Sequence, residues 1–149
     1  MTKARFKALR ERVGMSQQDV ADALGVSDRT VKRWENERDR REPPADAMDM
    51  LEKRLETQRR MVDYLVGVCK LVAGERNIPL SAMSVPVAYY RDQSMYDEYG
   101  RDPGPFGIAN ANSRAAARAL EELGCSVEFR YPCDSDSSIS AARSATESD

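Results

Sequence analysis

Apolar positions in the first third of the chain recur at helical spacing. Phe6, Leu9 and Val13 fall at i, i+3 and i+7, so residues 2–13 predict a helix with one inward face, ended by Gly14. Val20, Ala21 and Leu24 share a face of a second helix, which Ser16 caps and Gly25 closes. Ser27 caps a third helix, in which Val31 and Trp34 turn inward. Arg29, Lys32, Arg33 and Asn36, at i, i+3, i+4 and i+7, share its opposite side. The charged stretch NERDRRE, residues 36–42, predicts a loop, and Pro43 and Pro44 open the next helix.

From Ala45 onward, Met48, Leu51, Leu55, Gln58, Val62, Leu65, Cys69 and Val72 step by threes and fours along a heptad-like stripe. A single long helix is the expectation, with a break at residues 57–60 as the alternative. Its first half would close the core of the preceding helices. In its second half Met61, Tyr64, Val68 and Leu71 widen the stripe over too much of the circumference for a lone surface helix. That surplus predicts an interface through Met61, Tyr64, Leu65, Val68, Leu71 and Val72.

Beyond a connector containing Pro79, VPVAYY at residues 85–90 predicts a strand, with Pro86 pointing to an edge or a bulge. Residues 92–99 form a short helix, residues 101–107 (RDPGPFG) a loop, and residues 108–123 an alanine-rich helix closed by Gly124. SVEFRY, residues 126–131, alternates as a second strand that would pair with the first. The expected fold is mainly α. A four- to five-helix bundle (1–60) leads through the long helix into a small β-α-α-β unit (61–131). Residues 132–149, rich in Ser, Asp and Ala, read as a disordered acidic tail.

Composition narrows the chemistry. The chain has no histidine, and its three cysteines, Cys69, Cys125 and Cys133, are widely spaced. That excludes histidine acid–base catalysis and the common zinc spacings, so no metal, cofactor or enzyme activity is expected. Cys69 and Cys125 read as buried thiols, and Cys133 as exposed. No apolar run reaches membrane-spanning length and the N-terminus lacks a signal-peptide core, which predicts a cytoplasmic protein with no membrane partner. The net charge of −2 hides an asymmetry. Residues 1–41 hold 11 Lys and Arg against 7 Asp and Glu, whereas residues 61–149 hold 8 against 13.

The stretch SQQDVADALGVSDRTVKRWEN, residues 16–36, orders small, apolar, Gly, cap, basic and Trp residues as a helix-turn-helix does. Together with Phe6, Leu9 and Met15 it resembles the Cro/C1-like (XRE-type) phage-repressor family over residues 6–55. The order in residues 83–131 is more loosely similar to the YdiL-like and anti-CRISPR-associated regulators, through VAYYRDQSMYDEYG and FGIANANSRAAARALEELG. The acidic tail departs from those compact proteins.

The resemblance implies a recognition helix that enters the major groove of double-stranded DNA. On its exposed face Arg29, Lys32 and Arg33 are the candidate base readers. Asp28 is a fourth, able to accept from cytosine N4, but its place at a helix N-terminus explains it better. Gln17, Ser27, Thr30, Asn36, Arg38, Arg40 and Arg41 are the candidate backbone contacts. Tyr89, Tyr90, Tyr96 and Tyr99 invite base stacking, but only Arg91 and Arg101 lie near, and packing explains them better. The expected function is a homodimeric transcriptional regulator, a repressor occupying a palindromic operator. The alternatives are the antitoxin of a toxin–antitoxin pair and a regulator that also binds RNA.

Overall fold

The computed structural model of the protein describes residues 2–133. The expected tail therefore lies, from residue 134 on, outside the described residues. Three short helices come first: α1 (Lys3–Val13), α2 (Gln17–Leu24) and α3 (Asp28–Glu35). Each starts at a side-chain cap, with Thr2, Ser16 and Ser27 accepting from Arg5, Asp19 and Thr30 backbone amides. At α2 the cap is reciprocal, since the Asp19 carboxylate takes the Ser16 amide at 2.8 Å. The 32-residue α4 (Ala45–Arg76) follows unbroken through residues 57–60 and ends on Asn77 in the left-handed conformation.

The inward residues of α1–α3 meet the first turns of α4 in one core. Phe6, Val13, Val20, Val31 and Leu51 are fully buried there, and Phe6 stacks edge-on against Trp34 with centroids 6.0 Å apart. The head is thus a four-helix bundle.

After a 3₁₀ turn at Leu80–Ala82 come β1 (Ser84–Ala88), α5 (Gln93–Tyr99), α6 (Phe106–Glu122) and β2 (Ser126–Arg130). β1 and β2 pair in parallel, from Ser84 opposite Ser126 to Ala88 opposite Arg130, with α5 and α6 as the crossover that parallel pairing requires. β1 is shorter than the pattern VPVAYY predicts. The Tyr89 amide still reaches Arg130 O at 2.9 Å, but the next amide of the same parity, that of Arg91, turns to Met95 Sδ at 3.5 Å and the ladder ends. Met83 O and the Tyr89 amide both face β2, so Pro86, of opposite parity, turns its nitrogen to the open edge, where a missing donor costs nothing.

One flank of the second half of α4 packs on this unit. Cys69 and Ala73 join Met83, Val85, Val87, Leu120 and Cys125 in a second core, and Leu65 and Val72 lie against it. This corrects the expectation of apolar surplus around the whole helix: Leu65 and Val72 are half-buried and Cys69 is buried within the chain itself. What stays exposed is Met61, Tyr64, Val68 and Leu71. Cys69 and Cys125 are free and buried, and Cys133 is exposed. Burial, and then Cys125 nearby, pushes the Cys69 thiol above its ordinary range.

Head and C-terminal unit meet at a second joint besides α4. Gly14, at φ +82°, closes α1 against Gly107 in the first turn of α6. A Cβ on Gly14 would sit 2.0 Å from Gly107 O, so only glycine fits. Gln58 of α4 is buried beside this joint and donates to Arg12 O at 3.1 Å. No helix among the described residues is long and apolar enough to cross a membrane.

Candidate nucleic-acid interface

α3 stands at the surface of the head with Val31 and Trp34 in the core and its polar side outward. Arg29 and Lys32 are exposed on that side. Lys32 donates to Asp28 Oδ2 at 3.0 Å, one turn earlier. The hydrogen bond and charge of Lys32 hold the Asp28 carboxyl below the usual carboxylate range. A depressed carboxyl contributes above its unfolded value and loses that contribution only as pH falls through its folded value, so this pair is intact near neutrality. Arg29 has no ion-pair partner among the described residues. Arg33 lies apart from these two: it is half-buried and its Nε is 3.9 Å from Asp39 in the following loop. Ser27 and Thr30 sit at the helix start with hydroxyls 3.0 Å apart, and the Ser27 oxygen also takes the Thr30 amide.

The angle between α2 and α3 is set by a network absent from the sequence reading. Glu35, at the end of α3, accepts from Arg10 Nε at 2.5 Å and Arg10 Nη2 at 3.1 Å. It also accepts from Gln17 Nε2 at 2.8 Å. Arg10 further donates to Met15 O at 2.9 Å, so α1, the turn before α2, and α3 are tied through one guanidinium. Gln17 therefore braces the recognition helix through its side-chain amide, while its backbone amide, in the first turn of α2, has no intrahelical acceptor and faces outward. A signal for Arg10 does exist in the sequence. It lies four residues after Phe6, on the same face as the core, and a charge there calls for a buried partner.

The loop after α3 is stapled rather than loose. Asn36 Oδ1 takes the Arg38 amide and Asp39 Oδ1 takes the Arg41 amide, each at 2.9 Å. Lys3 donates to Arg33 O at 3.0 Å and to Arg41 O, anchoring both ends of the loop to α1. Asn36, Arg38, Arg40 and Arg41 are exposed, and the three guanidiniums have no acidic partner among the described residues. Exposed guanidiniums without ion pairs, on a stapled loop beside the basic helix, are placed to reach a phosphate backbone.

Two capped helices, a tight turn at Gly25 and a second helix with one buried and one basic side define a helix-turn-helix DNA-binding domain. Residues 6–60 match the family described as helix-turn-helix, and this part of the chain is a Cro/C1-type (XRE) helix-turn-helix. It is a DNA-binding regulatory family, not an enzyme family. No curated protein and no solved structure matches the chain. The family match ends at residue 60, so the looser likeness of residues 83–131 to the YdiL-like and anti-CRISPR-associated regulators gains nothing from it.

Proposed function

We propose that the protein is a homodimeric repressor that occupies a palindromic operator in the cytosol and thereby excludes polymerase. The observation that carries this reading is the outward side of α3, where Arg29 and Lys32 project from a helix locked at its far end by Glu35. Arg29, Lys32, Arg33 and Asp28 take the role of base readers. Asp39 holds Arg33 in the free protein, and Arg33 leaves it on binding. Gln17, Ser27, Thr30, Asn36, Arg38, Arg40 and Arg41 contact phosphates. Residues 1–60 act as the reading head and residues 61–131 as the dimerising part.

The dimer is supported by the exposed positions of α4. Met61, Tyr64, Val68 and Leu71 follow one another at steps of three and four, the a/d seam of a coiled coil, and Tyr64 and Leu71 are 62% and 63% exposed. A seam of that kind fits a second copy, and two heads so joined read half-sites about 10 base pairs or a multiple apart. An antitoxin would use the same head, and a co-purifying toxin would mark it.

Selection of bound duplexes from a random pool by the purified protein tests this. The expected motif is palindromic. Arg29→Ala should relax preference at one base position per half-site and cost about 1–3 kcal/mol in specific binding. Arg40→Ala should weaken all duplexes alike and flatten the salt dependence. A pool that yields no motif, or structured RNA bound more tightly than duplex, refutes the reading.

A further inference from the structure

We propose that the cavity enclosed by α4, the end of β1 and the loop before α6 binds a small carboxylate with an apolar body. The cavity measures ≈ 450 Å³, within the range of small-molecule sites. Met61, Tyr90, Tyr96 and Ile108 supply apolar wall. Tyr90 and Tyr96 brace one another edge-on, with centroids 4.9 Å apart and planes at 88°. Burial, then the charge of Asp102, raises the Tyr96 phenol above its ordinary value, so it remains protonated.

Asn112 is the residue that points to a ligand. It lies on the inner side of α6, lines the cavity and is only 8% exposed. Its side-chain amide makes no hydrogen bond among the described residues, and since no fully buried polar side-chain atom among them lacks a partner, its own atoms keep solvent contact, which the cavity supplies. Asn110, two residues earlier and equally buried, shows how the chain satisfies such a group. Its Oδ1 takes the Tyr90 amide and its Nδ2 donates to Tyr90 O, both at 2.8 Å. An amide that faces the cavity without a protein partner is left to water, and a ligand carbonyl or hydroxyl would take that water's place.

Charge selects the rest of the ligand. Arg54 and Arg101 stand at the rim with no ion-pair partner among the described residues, and Asp102 is the single acidic residue of the lining. Ser113 lies deeper and donates to Ala88 O at 2.7 Å, which leaves its oxygen to accept. A carboxylate between two guanidiniums, an apolar body against the tyrosines and a polar group at Asn112 use every one of these features.

The same two helices build the cavity and hold the reading head. α4 sends Leu51 and Leu55 into the head core and Thr57 and Met61 into the cavity. α6 sends Asn112 into the cavity and sets Gly107 against Gly14. Occupancy would therefore bear on the position of α3. That link rests on the repressor reading; binding itself does not.

The test titrates free, full-length, 15N-labelled protein with 3-(4-hydroxyphenyl)propionate and, in parallel, with the neutral 3-(4-hydroxyphenyl)propanamide, following the Asn112 side-chain amide by NMR. The carboxylate should move that amide with a Kd on the order of 1 mM, as suits a fragment of its size. The Arg54→Gln/Arg101→Gln variant, altered only at exposed side chains, should weaken it about tenfold and leave the melting temperature unchanged. Equal binding of the two probes, or carboxylate binding indifferent to both substitutions, overturns the anion assignment. An Asn112 amide unmoved by either probe at about 10 mM overturns the site. No DNA is present, so failure here leaves the repressor reading standing, and failure of that reading leaves this result standing.

Discussion

Replacing Glu35 by alanine removes the acceptor on which α1, α2 and α3 converge. The pair it makes with Arg10 is nearly dry, the two side chains being 10% and 6% exposed. Alanine deletes two bonds from Arg10 and one from Gln17, and leaves the buried guanidinium with Met15 O as its hydrogen-bond acceptor and the exposed Glu11 carboxylate 3.8 Å away. Stranding one member of a buried ion pair costs about 3–5 kcal/mol. A chain of this size is stable by about 5–15 kcal/mol, so Glu35→Ala should remove about a fifth or more of its stability and lower the melting temperature by about 10 °C. The companion variant Arg10→Met/Glu35→Leu removes both charges and fills their volume with apolar atoms. It should cost less than the single change, because apolar replacement of a buried pair is often neutral. Urea unfolding followed by far-ultraviolet circular dichroism measures both, with the slope as the check that the transition stays two-state. A Glu35→Ala protein within about 1 kcal/mol of the parent would refute the argument, since that is the worth of an exposed pair. So would a double variant less stable than the single one.

Two further outcomes follow from the geometry. Gly14→Ala forces a Cβ to within 2.0 Å of Gly107 O as well as a left-handed backbone, whereas Gly25→Ala, at φ +67°, meets nothing within 4 Å. Gly25→Ala should therefore cost about 1–2 kcal/mol, the left-handed penalty alone, and Gly14→Ala clearly more. Calorimetric melting of the two variants compares them, and equal losses would mean that the α1–α6 joint yields. Tyr64→Glu/Leu71→Glu places like charges on the exposed seam of α4 without touching either core, so sedimentation should show a folded monomer that binds operator poorly. A dimer that survives this change puts the interface elsewhere.

The helices of the head were legible because their signals are local. A cap three residues before an amide, a glycine at a left-handed turn and apolar steps of three and four act within a few residues, and α1 to α3 begin and end where those signals stand. The long α4 was legible for the same reason. Which flank of α4 stays exposed was not, because Leu65, Cys69 and Val72 carry the same apolar signal as Met61, Tyr64 and Val68. Only the docking of the β-α-α-β unit separates the two sets, burying one against Met83, Val85 and Leu120 and leaving the other bare. The basic side of α3 could be read from spacing, but the turning of Arg33 to Asp39 could not, since it depends on where Lys3 holds the loop. The Arg10–Glu35–Gln17 lock and the cavity around Asn112 are likewise tertiary. Their members lie far apart in the chain, and a buried charge or amide takes its partner, or lacks one, only once the elements have packed.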